Sequence, residues 1–397
     1  MPHPLSIVTA TTLFPNRARP SHGIFVKTRL KKLLTTGEVE TRVVAPVGWV
    51  PPLVPYPGVE HLRTLPHRDT IDGIAVEYPR YLIIPKIGMS VTPHFLYRAF
   101  RRAIGAMLAA GQRIDLIDAH YFYPDGVALA WVAQDLGLPF VVTARGTDLN
   151  LIPQYPGPRR MIQDAAEAAD GIITVAAALK EPLVELGIAP ERVTVLRNGV
   201  DLELFRPGPR EQARKQFDMT RRTLASVGHL IERKGHHHVI AALLRLPDTD
   251  LFIAGDGEER TSLQALAEKL GVADRVRFLG AVRQDVLRSL YTGADALVLA
   301  SSREGWANVL LEAMACGTPV IASSVWGTPE VVAAPEAGVL MPSLDADGVV
   351  TAAEKLFAGL PARTATRAYA EKFGWEPTTQ GQIALFREIL ERRKRRS

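Results

Sequence analysis

The stretch Ser301-Ser302-Arg303-Glu304-Gly305-Trp306-Ala307-Asn308-Val309-Leu310-Leu311-Glu312-Ala313-Met314-Ala315-Cys316-Gly317-Thr318-Pro319-Val320 decides how this chain folds. The apolar run Ala296–Ala300 ahead of it reads as a strand, Gly305 as a turn, and the residues from about Asn308 as a helix that Gly317 and Pro319 end. Glu304 lies in the loop at the strand's carboxyl end and Glu312 on the helix that loop feeds, so both border the crevice where open α/β sheets bind ligands. Ionised carboxylates only accept hydrogen bonds, which suits a hydroxyl-rich ligand. The free backbone N–H groups of a helix start suit an anion. A sugar joined to a phosphate meets all three conditions.

Working outward, short apolar strands alternate with helical patterns from end to end, as expected for βαβ units and mostly parallel sheets. In the first half strands are read at Leu5–Thr9, Arg42–Ala45, Leu116–Ala119, Phe140–Thr143, Ile172–Val175 and Val193–Leu196. Helices fall near Phe25–Leu34, Phe95–Leu108, Val127–Leu136, Met161–Ala169 and Leu179–Leu186. The proline-rich span Trp49–Pro93 reads as an irregular excursion with a hairpin around Ile74–Tyr78. Turn formers and prolines cluster from Asn198 to Pro209, the mark of a linker. The alternation then restarts, with strands at Leu224–Val227, Leu251–Ala254, Val276–Leu279, Ala296–Ala300, Val320–Ala322 and Val339–Met341. Thr261 and Gln264 match a capping box opening the helix after the second of these.

With 397 residues the chain exceeds the size at which one core stops growing, so two doubly wound domains are expected: residues 1–200 and 201–375, with the last helix, 376–397, packing back on the first. An apolar share of 47% and a charged share of 22% exclude a disordered chain. No apolar run is long enough to span a bilayer, and the start lacks the cationic and apolar regions of a secretion signal. One cysteine, Cys316, excludes an internal disulfide and fits a reducing, cytoplasmic setting. The net charge of +5 is unevenly placed, in Arg29/Lys31/Lys32, in Arg98/Arg101/Arg102 beside Phe95, Tyr97 and Phe100, and in the terminal run from Arg392. Such clusters suit the phosphates of a membrane surface, here the inner face of the cell membrane, of nucleic acid or of an anionic substrate, or are solvated helix faces with a frayed tail.

Further loops leave strand ends. In Gly228-His229-Leu-Ile-Glu-Arg233-Lys234-Gly235, two cations beside a helix start suggest a diphosphate clamp. Gly255-Asp256-Gly257 is half of a dinucleotide fingerprint, a weak signal that fits close chain approach near a nucleotide. The triplet His236-His237-His238 does not suggest a metal, because consecutive helical residues point about 100° apart. In the first half, Gly23 opens a helix where phosphate could approach backbone, and His120 ends an otherwise apolar strand. Arg145 and Asp148 leave the next strand, Asp148 suiting either a ligand contact or a helix cap.

Taken together, Glu304-x7-Glu312 with its following Gly-Thr-Pro-Val, the Val-Gly-x-Leu-x3-Lys234-Gly235 loop, Asn198-Gly-Val-Asp201 and Ala-Gly-Asp-Gly resemble the family 4 retaining glycosyltransferases of the GT-B fold. The resemblance runs over nearly the whole chain. It implies two Rossmann-like domains facing a central cleft and a nucleotide-sugar donor held mainly by the second. The cations of the phosphate loop take the place of a metal, so neither metal nor cofactor is expected, and no nucleic-acid partner. The basic segment Arg29–Lys32 and the basic-aromatic helix Phe95–Arg102, both in the acceptor half, favour a glycan or lipid-linked acceptor of cell-envelope or exopolysaccharide synthesis. By similarity Glu304 holds sugar hydroxyls, Glu312 the ribose, and Lys234 the diphosphate, to which the neighbouring Arg233 adds a second cation in the clamp read above. Gly257, Gly305, Asn308, Val309 and Asn198 lie on the donor side, and His120 and Gly23 approach from the first domain. The chain departs from the pattern at His229, where many members carry arginine, and at Arg145, where many carry histidine. Nucleotide-sugar 2-epimerases share this architecture, and an anion-binding protein without enzymatic activity would leave the glutamate pair unexplained.

Overall fold

The structure is a computed structural model and describes residues 3–51, 62, 64–84 and 88–395. It divides into two compact units, residues 1–197 with 376–397, and residues 198–375. The chain thus crosses between units just ahead of the expected 200/201 boundary. Part of the irregular span between Trp49 and Pro93, and the last two residues of the basic tail, lie outside the described residues.

Among the described residues the first unit has ten strands: β1 Leu5–Ala10, β2 Val39–Val44, β3 Val47–Trp49, β4 Arg68–Ile71, β5 Ile74–Glu77, β6 Arg80–Leu82, β7 Leu116–His120, β8 Phe140–Ala144, β9 Gly171–Thr174 and β10 Val193–Val195. Eight of them form one sheet in the order β10-β9-β8-β7-β1-β2-β5-β4, parallel except for the β4–β5 hairpin, while β3 and β6 pair separately. Asp72 and Gly73 make the hairpin turn, both at positive φ, as a two-residue turn requires. β7 and β8 are buried at every residue, Asp118 and His120 of β7 included, as expected where helices cover both faces of a parallel sheet. Ile383, Phe386 and Ile389 of the last helix, Glu376–Lys394, sit in the same core as Ile7, Val26 and Leu116.

The second unit holds β11 Arg222–Val227, β12 Thr249–Ala254, β13 Val276–Gly280, β14 Ala296–Leu299, β15 Val320–Ser323 and β16 Gly338–Met341. They form an all-parallel sheet in the order β13-β12-β11-β14-β15-β16, the doubly wound dinucleotide-fold order. Its core packs Leu224, Ile253 and Val298 against Val239, Leu263 and Leu356 of the flanking helices.

Three local expectations fail. The helix expected from Phe95 begins at Gly88 and carries Pro93 inside it; proline there forgoes a bond to the carbonyl of Met89, an exposed residue. The Thr261–Gln264 capping box does not form. That helix starts at Arg260, because Glu259 N is tied to Leu230 O at 2.9 Å and fixes where the turn begins. The terminal basic run is not a frayed tail up to Lys394, since Arg393 forks onto Asp170 at 2.9 and 3.0 Å. No helix among the described residues is long and apolar enough to cross a membrane.

Candidate functional site

In the second unit the strand order reverses between β11 and β14, so the loops leaving their carboxyl ends flank the crevice where such sheets take ligands. Backbone and side chains fasten these two loops together. Gly235 sits at φ +68°, and a β-carbon there would lie 1.9 Å from the Ala300 carbonyl oxygen, so only glycine permits the approach. Ser302 N donates to Arg233 O at 2.9 Å, and Arg233 Nη1 donates to Arg303 O at 2.8 Å. Lys234 Nζ meets Glu304 Oε1 at 2.6 Å, with only 15% and 9% of the two side chains exposed. The expected two-cation clamp is therefore altered. Lys234 faces Glu304, while Arg233 braces the Glu304 loop through its backbone.

The Gly255–Gly257 loop supports this arrangement from beneath. A β-carbon on Gly255 would lie 1.8 Å from Gly228 O, and one on Gly257 would lie 2.4 Å from Leu230 O. The close approach that Gly257 permits is thus to the Gly228–Leu230 backbone. His229 is exposed, and its carbonyl accepts from Ile231 N at 2.9 Å. His236 belongs to the core: its Nδ1 shares a 2.8 Å hydrogen bond with Ser226 Oγ, and burial pushes it down to about 4.

Glu312 projects from the helix Asn308–Ala315, where Tyr291 Oη donates to its Oε2 at 3.1 Å. Burial pushes this carboxyl up to about 7, with the Tyr291 bond opposing the shift. Asn198 is a brace. Its carbonyl accepts from Trp306 Nε1 at 3.0 Å, and its amide donates to Asn308 Oδ1 at 3.4 Å, so it holds both ends of the segment that follows Glu304. Gly305 and Val309 lie on that segment, both partly exposed.

In the first unit the order reverses between β1 and β7. His120, at the end of β7, is 1% exposed. Arg145 Nη2 lies 2.7 Å from its Nδ1, and Asp118 Oδ2 lies 3.3 Å from its Nε2. A guanidinium only donates, so Nδ1 accepts and Nε2 carries the proton toward Asp118. Burial pushes His120 down to about 4 against the pull of Asp118, which keeps the ring neutral. Both nitrogens are engaged, so a sugar contact from His120 requires one of these partners to let go.

The network continues deeper. Gln382 Nε2 donates to Asp118 Oδ2 at 3.3 Å, and Arg29 Nε donates to Gln382 Oε1 at 2.8 Å. Arg29 is 2% exposed and also reaches Leu196 O, so its expected place in a surface basic cluster is wrong. It lies on the buried face of the helix Ile24–Leu34. Asp148 accepts from the backbone of Phe122, Arg145 and Gly146 at 2.7 to 3.1 Å, which makes it the organiser of the turn carrying Arg145. Asp125, which sequence reasoning missed, takes Thr12 N at 2.6 Å and the Thr11 hydroxyl at 3.1 Å, and burial pushes it up to about 7. Gly23 packs on its own loop, where a β-carbon would lie 2.1 Å from Leu13 O. The available signal for the missed network was an aspartate, Asp118, inside an otherwise apolar strand.

Two family descriptions match this chain in succession, Glycosyltransferase Family 4 over residues 42–204 and Glycosyl transferases group 1 over residues 209–373. The chain belongs to the family 4 glycosyltransferases and has the GT-B fold. Among curated relatives, a D-inositol 3-phosphate glycosyltransferase of Mycobacterium marinum is 32% identical over 70% of this chain and 64% of its own length. This chain therefore spans less than two thirds of that relative. A D-inositol 3-phosphate glycosyltransferase 1 of Catenulispora acidiphila is 28% identical over 98% of this chain and 97% of its own. The solved sucrose-phosphate synthase of Thermosynechococcus elongatus superposes with a TM-score of 0.79 at 22% identity, covering 98% of this chain and 99% of that one, a likeness of fold.

Proposed function

We propose that this protein transfers a sugar from a nucleoside-diphosphate sugar to a hydroxyl acceptor with its anomeric configuration kept. The observation that carries the reading is the Lys234–Glu304 pair at the β11/β14 switch point. A diphosphate offers Lys234 a better anion and a sugar offers Glu304 hydroxyl donors, so one donor molecule replaces both halves of the pair. Glu312 takes the ribose hydroxyls, and Gly305, Asn308 and Val309 lie along the phosphates. Arg233 and Asn198 act by holding the loop. As the glycosidic bond breaks, charge grows on the leaving diphosphate, where Lys234 and backbone N–H groups stabilise it. Neither glutamate forms a covalent intermediate, unlike the nucleophilic carboxylate of retaining glycosidases. With a protein cation in this place the reaction runs without a divalent ion. Excess EDTA is expected to leave the transfer rate within about twofold, and a loss restored by magnesium would refute that part.

The first unit takes the acceptor, with the neutral His120 and its partner Arg145 nearest the β1/β7 switch point. We assign the acceptor to a glycan or lipid-linked sugar. The names of the relatives favour a second reading, a small phosphorylated polyol. Mixing donor with the protein alone separates transfer from epimerisation, since a new epimer would indicate the latter. A flotation assay with anionic vesicles tests peripheral attachment to a membrane surface.

Two measurements test the donor reading. Screening nucleotide sugars by thermal shift should find one that raises the melting temperature, because a ligand bound only to the folded state stabilises it by mass action. Failure of every donor in a broad panel would count against the reading. The second measurement is pH dependence. Burial holds the Glu312 carboxyl up to about 7 in the free protein, and the ionised form is the stronger acceptor for ribose hydroxyls. Donor affinity should therefore fall as pH drops through about 7, and Glu312→Gln should flatten that dependence. Folding has the opposite sign. The raised carboxyl stabilises the fold below its ordinary 4.5, and that contribution is lost as pH rises through about 7.

A further inference from the structure

Away from the β1/β7 switch point, a groove runs along the helix Gly88–Ala109 where it faces the β4–β5 hairpin. Two adjoining hollows of about 630 and 770 Å³ make it up, and they share Arg68, Glu77, Ala103 and Ala106. Six arginines line it, Arg17, Arg42, Arg68, Arg80, Arg98 and Arg102, against the carboxylates Asp69 and Glu77. Those two carboxylates are taken by Arg17 at 2.7 Å and Arg68 at 3.0 Å. Among the described residues Arg42, Arg98 and Arg102 form no ion pair, and all three are exposed. Arg98 and Arg102 stand four apart on one helix face, a like-charge spacing that weakens a helix unless an anion lies between them. Their neighbour Arg101 is neutralised by Asp135 at 3.0 Å, so the surplus is confined to the groove side.

We infer that this groove binds an acidic oligosaccharide, with the sugar's carboxylate or phosphate groups on Arg42, Arg98 and Arg102. Two adjoining hollows of this volume admit an extended chain, whereas a bilayer surface would meet only their rims. The small floor residues Ala103 and Ala106, with Phe95 and Tyr81 at one end, offer flat apolar surface to sugar rings. Asp69 and Glu77 can accept further hydroxyls, and they disfavour a polyphosphate that carries few. The inference rests on the acceptor reading of the first unit only for its use in the reaction; the binding stands without it.

Calorimetric titration of the whole protein with hexagalacturonate and with neutral maltohexaose tests the inference. Hexagalacturonate should bind, lose affinity as salt rises, and exceed maltohexaose by about tenfold or more, since each charge-assisted contact is worth roughly that factor. The double variant Arg98→Glu/Arg102→Glu should weaken it by at least about tenfold. Arg98→Gln/Arg102→Gln, which removes charge without adding its opposite, should weaken it less. Thermal stabilisation of either variant by the donor sugar should match wild type, which separates failure of the groove from failure of the donor site. Equal binding of both sugars, no response to the double variant, or tighter binding of a single-stranded oligonucleotide or an anionic vesicle would each overturn the assignment.

Discussion

Glu304→Ala should reduce sugar transfer by about a hundredfold or more while the protein stays folded. A hydrogen bond to a charged group contributes roughly 1.5–3 kcal/mol, and each 1.4 kcal/mol is a factor of ten. Two hydroxyls released from the carboxylate account for the expected loss. The fold should survive because the loop carrying Glu304 is held by backbone contacts that the substitution leaves intact: Gly235 against Ala300, Ser302 N on Arg233 O, and Trp306 on Asn198. Lys234 loses its partner but reaches solvent with 15% of its side chain. The check is kcat/KM together with a melting curve. Activity within about twofold of wild type would end the assignment of the sugar to Glu304. Glu304→Gln should retain more activity than alanine, since its carbonyl still accepts one hydroxyl.

Asp118→Ala should destabilise the first unit strongly, and here the effect is on the fold. Arg29 and the partly exposed Arg145 both lie within electrostatic reach of this carboxylate, and desolvation has already pushed them down to about 10 and about 9. Removing the anion takes away the charge that offsets these two cations and the acceptor of the His120 and Gln382 N–H groups, a loss of roughly 3–5 kcal/mol. For a unit of this size each kcal/mol is about 2–4 °C, so a drop of roughly 6–20 °C is expected in the transition of the first unit. Amide exchange on β7 and β8 should rise while β11 and β14 stay protected. A melting temperature within about 2 °C of wild type would show that the network contributes little.

Much of the fold was legible in the sequence because parallel strands covered on both faces read as largely apolar runs; Phe140–Ala144 and Ala296–Leu299 are buried throughout. Glu304 and Glu312 were legible because strand, turn and helix signals fix where a loop residue and a residue on the following helix sit relative to a sheet edge. What stayed hidden depends on contacts between distant segments. Arg29 reads as one cation in a basic run, and only the packing of the last helix shows it bonded to Gln382, far along the chain. Arg233 and Lys234 are adjacent and chemically alike, yet the loop turns one to a carbonyl and the other to a carboxylate. Gly255 and Gly257 look like part of a nucleotide fingerprint, and their backbone neighbours show that they serve loop packing.

The most direct test is a crystal structure of the protein with an intact nucleotide sugar that it is shown to bind. The account predicts that Lys234 Nζ leaves Glu304 and lies within hydrogen-bond distance of the diphosphate, while Glu304 receives hydroxyls of the sugar. A complex in which the Lys234–Glu304 pair persists at its present 2.6 Å, with the diphosphate bound elsewhere, would contradict it.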